Sequence, residues 1–66
     1  MKFTVNGKVH ECSSGTTVST LIEQLALTGR RVAVERNGDI VPRSLHGLVA
    51  LADGDQIEIV VAVGGG

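Results

Sequence analysis

Polar and apolar residues alternate from the first position. Met1, Phe3 and Val5 fall on one side of an extended chain and Lys2 and Thr4 on the other, the period of a half-buried strand. Asn6-Gly7 follows, two residues that tolerate the positive φ angles of a type I′ hairpin turn. A two-residue loop pairs Val5 with Lys8, Phe3 with His10 and Met1 with Cys12, turning His10 and Cys12 toward the core and Val9 outward. A longer loop reverses the two faces.

The period then changes. After the loop Ser13-Ser14-Gly15, Thr16 or Thr17 can cap a helix by accepting a backbone N–H bond. Val18, Leu21, Ile22 and Leu25 stand at i, i+3, i+4 and i+7, which gives the helix one apolar face to close over a sheet. Gly29 suits the left-handed position just past a helix end, with Arg30 and Arg31 at the negative end of the dipole. A short strand over 32–35 is turned by Asn37-Gly38 into Asp39-Ile40-Val41, and Pro42, which cannot donate to a ladder, places this arm at an edge. Residues 45–52, with Leu45, Leu48, Val49 and Leu51, are expected to form a helical turn or an ordered loop packed by its leucines. Asp53-Gly54-Asp55 is a turn that launches a last strand over 57–63. There Ile57, Ile59, Val61 and Val63 share one face and Glu58, Val60 and Ala62 the other, so the run is apolar on nearly both sides, as a central strand is.

A hairpin, a crossover helix, a second short hairpin and a final strand predict an α+β fold. The expected architecture is a mixed four- to five-stranded sheet with one crossing helix, and the first and last strands lie parallel at its centre. This is the β-grasp, ubiquitin-like arrangement, with residues 1–63 as the domain and 64–66 as a glycine tail.

Composition narrows the function classes. Sixty-six residues make one domain with a small core and no room for a buried catalytic cleft. Phe3 is the only aromatic, so valine, leucine and isoleucine must build that core. A net charge of −1, from six Lys/Arg against seven Asp/Glu, argues against a phosphate-backbone binder, and the missing aromatics remove base-stacking platforms. A single cysteine, Cys12, cannot close an internal disulfide, and neither a membrane-length apolar run nor a signal pattern is visible. The expected location is cytoplasmic, with neither nucleic acid nor membrane as partner.

Few residues offer chemistry. Cys12 on a core-facing strand position reads as a small buried hydrophobe rather than a nucleophile. Adjacent strand residues such as His10, Glu11 and Cys12 point to opposite faces and complete no metal site. His46 reads as a surface or loop histidine. Arg36, Asp39 and Arg43 flank the second hairpin, where they either dress a partner surface or block edge-to-edge aggregation. Val60 and Ala62 form an apolar patch beside the tail if the outer sheet face is open, and are covered if residues 45–51 lie over them. Gly64-Gly65-Gly66 cannot be explained as packing, since glycine has no side chain to bury. It is either a frayed end or a slim segment that threads a narrow channel and delivers a carboxylate.

Taken together, the opening Met-Lys-Phe-Thr-Val-Asn-Gly, the helix entry at 15–22, Asn37-Gly38 with 40–44, the 53–60 segment and the diglycine end resemble the ubiquitin-like sulfur carriers. The likeness is strongest to the sulfur-carrier family of thiamine biosynthesis. The resemblance implies a carrier and substrate of partner enzymes rather than an enzyme. In that family an adenylyltransferase related to ubiquitin-activating enzymes adenylates the terminal glycine with ATP and Mg. A sulfur-transfer enzyme such as a cysteine desulfurase then supplies sulfur, and thiazole synthase consumes the resulting thiocarboxylate. Mapped here, Gly66 is the acyl site and Gly64 and Gly65 the threading lead; Val60, Ala62, Arg36 and Arg43 are the candidate partner surface, and no cofactor is bound. The small subunit of molybdopterin synthase, and carriers for tRNA thiolation or cysteine synthesis, are alternatives of the same class. A ubiquitin-like protein modifier or interaction module is the alternative from another class: conjugates to lysines would mark the modifier, a free thiocarboxylate the carrier.

Overall fold

The computed structural model describes residues 1–62. Its elements are β1 (Lys2–Val5), β2 (Lys8–Glu11), α1 (Val18–Gln24), β3 (Val32–Arg36), β4 (Asp39–Val41), a 3-10 turn (Arg43–Leu45) and β5 (Gln56–Val61). The five strands form one mixed sheet in the order β2-β1-β5-β3-β4, with β1 and β5 parallel and the remaining pairs antiparallel. This is the expected β-grasp. The predicted Val63 end of the last strand and the Gly64–Gly66 tail lie outside the described residues.

Both Asn-Gly turns take the required backbone. Asn6 and Gly7 have φ of 51° and 84°, and Asn37 and Gly38 of 53° and 88°. The two-residue loop sets the expected register, Val5 opposite Lys8 and Phe3 opposite His10. Beyond it Met1 and Cys12 exchange backbone bonds, the Met1 ammonium donating to the Cys12 carbonyl at 2.9 Å and the Cys12 N–H to the Met1 carbonyl at 3.1 Å. The inner face of the sheet and the helix enclose the core of Phe3, Val5, Val18, Leu21, Val34, Val41, Leu51, Ile57 and Ile59. Each such side chain contributes about 1.5–3 kcal/mol relative to exposure.

Helix α1 has only seven residues, too short to persist without tertiary support. Its first-turn N–H groups, which have no intrahelical acceptor, all find partners. Val18 donates to the Val49 carbonyl at 3.1 Å, Ser19 to the His46 carbonyl at 2.9 Å and Thr20 to the Thr17 hydroxyl at 3.2 Å. Thr17 is therefore the cap, while the hydroxyl of buried Thr16 donates to the Ser13 carbonyl. The segment after the 3-10 turn is thus tied to the helix start, which explains two departures from expectation. Its packing comes from Val49, Leu51 and His46, while Leu48 stays 79% exposed. His46, expected as a surface or loop histidine, does lie in the turn after Leu45 but is only 7% exposed, with Nε2 3.1 Å from the Val41 carbonyl. A carbonyl only accepts, so Nε2 carries the proton and donates.

The helix also stops earlier than Gly29 suggests. Ala26, at φ 60°, takes the left-handed position. Its N–H donates to the Glu23 carbonyl and the Leu27 N–H to the Ile22 carbonyl, the paired bonds of a Schellman ending. The stop comes here because Leu27 must fold back beside Ile22 onto the core; Gly29, φ 83°, serves the later turn toward β3. Arg30 and Arg31 consequently lie beyond the last helical turn, which holds no basic residue. Because an alanine occupies an exposed position that glycine fills without strain, Ala26→Gly should raise stability by about 1 kcal/mol. A urea unfolding midpoint at or below that of the parent chain would contradict this assignment.

Candidate functional site

The described chain ends on β5, the strand that leads toward the glycines, so the first question is how rigidly that strand is held. On one side it pairs with β3 over Val32–Arg36, and the Ala62 N–H still donates to the Arg31 carbonyl at 2.9 Å. On the other side the parallel pairing with β1 covers only Thr4–Gln56 and Val5–Ile57. The Asn6 side chain extends it: its Oδ1 accepts the Ile59 N–H at 2.9 Å and its Nδ2 donates to the Ile59 carbonyl at 3.1 Å, while its backbone N–H donates to Ile57. Asn6 therefore supplies both a hairpin turn and the missing rungs of the central ladder.

The start of β5 is held by Asp55. This buried carboxylate accepts from the Arg36 Nε at 2.8 Å, the Asn37 Nδ2 at 3.0 Å and the Ala52 N–H at 2.8 Å. Asn37 returns a bond by accepting the Gln56 N–H at 2.8 Å. Burial alone would raise the Asp55 carboxyl, but the Ala52 amide, the Asn37 amide and the Arg36 guanidinium outweigh it and hold the group below the ordinary carboxylate range. Arg36, a candidate for partner contact, is thus paired with Asp55 while its side chain stays one-third exposed (33%).

The outer face of the sheet is open. Val60 is 65% exposed and Ala62 is exposed, so residues 45–51 do not cover them. Ala33 pairs with Val60 and is also exposed, and Glu35 faces Glu58 directly across the same two strands. Exposed Ile40 on β4 and Val9 on β2 occupy the flanks of this face. Strand alternation could have identified Ala33 and Ile40 once the pairing of β3 with β5 was known. The remaining candidates are not gathered there. Arg43 is exposed on the helix side, lining a cleft with Arg30 and Ser19. Cys12 is half-buried, its thiol donating to Gln24 Oε1 at 3.2 Å, and His10 stacks on Phe3 with ring centroids 6.0 Å apart. Among the described residues no group of three His, Cys, Asp or Glu side chains could hold a metal ion. No helix is long and apolar enough to cross a membrane.

A family model described as the ThiS family matches residues 3–66. The chain belongs to the ThiS family. It is 35% identical to the sulfur carrier protein ThiS of Escherichia coli, with each chain covered over 100% of its length. It also resembles the crystal structure of the thiamine biosynthesis protein (ThiS) from Geobacter metallireducens, at a TM-score of 0.83 and 32% identity over 100% of both chains. A thiazole synthase of Paramagnetospirillum magneticum is 47% identical over 66 residues, 100% of this chain but 20% of that protein. The chain thus spans about a fifth of the length of that relative. ThiS membership gives the sheet face and the strand leading to the glycines their functional interest.

The Asp55 cluster has a definite pH signature. Its folded pKa lies below the unfolded one, so its stabilisation is complete at neutral pH and disappears as pH falls from about 4 through the lowered folded value. Asp55→Asn should lower stability at pH 7 by about 2–3 kcal/mol and flatten the acid limb of a stability-against-pH curve. An unchanged acid limb in that variant would show that another group controls it.

Proposed function

We propose that this chain is the sulfur carrier of thiazole formation in thiamine biosynthesis, acting through Gly66. The observation that carries the reading is the whole-length membership of the ThiS family, joined to a central strand bonded on both edges that runs in sequence into Val63-Gly64-Gly65-Gly66. An α-carboxylate has a reference pKa of about 3.5 and is ionised at neutral pH, so it is a poor electrophile and sulfur does not displace its oxygen directly. Adenylation by an E1-like adenylyltransferase, with ATP and Mg bound by that partner, supplies the leaving group. A persulfide on a sulfur-transfer enzyme such as a cysteine desulfurase then attacks the acyl-adenylate and displaces AMP. A second thiol cleaves the resulting acyl disulfide by forming a disulfide with the enzyme's sulfur, and the released thiocarboxylate passes to thiazole synthase. The thiazole synthase name of a relative, a fifth of which resembles this chain, supports that acceptor.

In this reading the carrier contributes shape rather than catalysis. Gly64 and Gly65 thread the partner's channel, and Gly66 brings its carboxylate to the α-phosphate within about 3–3.5 Å, an approach that a Cβ on the last residues would obstruct. Val60 and Ala62, with Ala33, form the docking patch beside the tail, open to water in the free chain.

Gly66→Ala should leave the unfolding midpoint unchanged while abolishing ATP–pyrophosphate exchange by the partner adenylyltransferase. Val60→Asp should instead raise the KM for the carrier about ten-fold, since a charge at the centre of an apolar contact is left unpaired. Normal exchange with the Gly66→Ala chain would refute the threading mechanism.

A further inference from the structure

The net charge of −1 conceals an uneven distribution along the strand axis. Strand β5 is parallel to β1 and antiparallel to β3, which is antiparallel to β4. The end of the sheet from which β5 leaves therefore also carries the β1–β2 turn, the entry to β3 and the residues after β4. Lys8, Arg30, Arg31 and Arg43 stand there, four of the six Lys and Arg. The other two, Lys2 and Arg36, are at the opposite end, where Arg36 is paired with Asp55. That opposite end also holds Glu11, Asp39, Asp53 and, one residue inward, Glu35. Glu58 lies directly opposite Glu35 at the same level, and Glu23 is the one acid beside the cationic end, lining the same cleft as Arg30 and Arg43.

The cations surround the exit of β5. The Arg31 carbonyl accepts the Ala62 N–H at 2.9 Å, Arg30 and Arg43 share a cleft with Val32, and Lys8 shares another with Val61 on the far side of the strand. Among the described residues none of the four makes an ion pair, the Arg36–Asp55 bridge being the one present. β5 is the middle strand of five, so from β2 to β4 the collar spans four strand spacings, about 19 Å. That is more than twice the Debye length of about 8 Å at physiological ionic strength. A single small anion would feel one or two of these charges, whereas an extended acidic surface meets all of them.

We propose that Lys8, Arg30, Arg31 and Arg43 form a cationic collar that docks on an acidic rim around the tail channel of the adenylating partner. The acidic far end makes the molecule a dipole that approaches such a rim tail-first. This rests on the carrier reading above and specifies the chemistry of the partner's surface. Charge complementarity of this kind acts mainly on the association rate and its salt dependence.

The test is stopped-flow association of the full chain with its adenylyltransferase across a salt series. Arg30→Glu with Arg31→Glu should slow association about ten-fold or more at low salt and flatten its salt dependence. Glu11→Lys with Asp39→Lys, at the far end, should cause no slowing. Circular dichroism confirms that both variants fold; the Arg31 contact to β5 is through its carbonyl and survives substitution. Wild-type association rates in the Arg30/Arg31 variant, or equal slowing by the far-end variant, would overturn the collar while leaving adenylation, and hence the carrier reading, intact. Equilibrium dialysis showing that the isolated chain binds ATP through Arg30 and Arg31 would overturn it in favour of a nucleotide site. A parent chain that the enzyme does not adenylate removes the carrier reading and the collar with it.

Discussion

The position of β5 between β1 and β3 is the constraint on which the rest of the structure depends. Two hairpins that are local in sequence, β1–β2 and β3–β4, become one sheet only because β5 bonds to both. The parallel side of that junction is the weaker one, with two paired positions, and it is completed by a side chain: Asn6 brackets the Ile59 amide on both its N–H and its carbonyl. The strand's entry is anchored by Asp55, which joins Arg36 and Asn37 from the distant second hairpin to the Ala52 amide of its own turn. Burial of Ile57 and Ile59 beneath α1 then fixes which face looks outward, because a one-residue slip would exchange the two faces.

From that constraint the open sheet face follows. Fixing Ile57 and Ile59 inward turns Glu58, Val60 and Ala62 outward, and the antiparallel partner adds Ala33 and Glu35 beside them. The helix, 3-10 turn and Leu51 segment all lie on the inner side, leaving the outer face uncovered. The fold thereby keeps its core and helix on one side of the sheet and leaves the other side open to water. Its buried polar groups Asp55 and His46 are engaged by turns and helix ends.

The fold was legible in the sequence wherever a local rule has few solutions. Asn6-Gly7 and Asn37-Gly38 admit the backbone of a two-residue hairpin, and that loop length fixed the pairing of Phe3 with His10. Alternation in 57–61 and the spacing of Val18, Leu21 and Ile22 gave the core face. What escaped depended on contacts remote in sequence. Ala26 ends the helix because Leu27 must return to the core, although Gly29 is the better local signal. His46 is buried because its carbonyl serves the helix start and its ring serves Val41. Arg36 looked like a surface charge until the Asp53-Gly54-Asp55 turn was brought beside it. Of the candidate residues, alternation placed Val60 and Ala62 on one face but could not say whether residues 45–51 cover it, and only the fold shows that face open, with Arg36 paired to Asp55 and Arg43 on the helix side; the reading of Gly66 rested on the family likeness.

The central claim is that the chain carries sulfur on the carbonyl of Gly66. Intact-mass spectrometry after incubation with ATP, the adenylyltransferase and a sulfur donor tests it most directly. The expected result is a mass increase equal to one sulfur replacing one oxygen, located by fragmentation on the peptide containing Gly65 and Gly66 and absent when those two residues are deleted. A sulfur adduct on Cys12 instead, or no mass change in a chain that the enzyme has adenylated, would contradict the account.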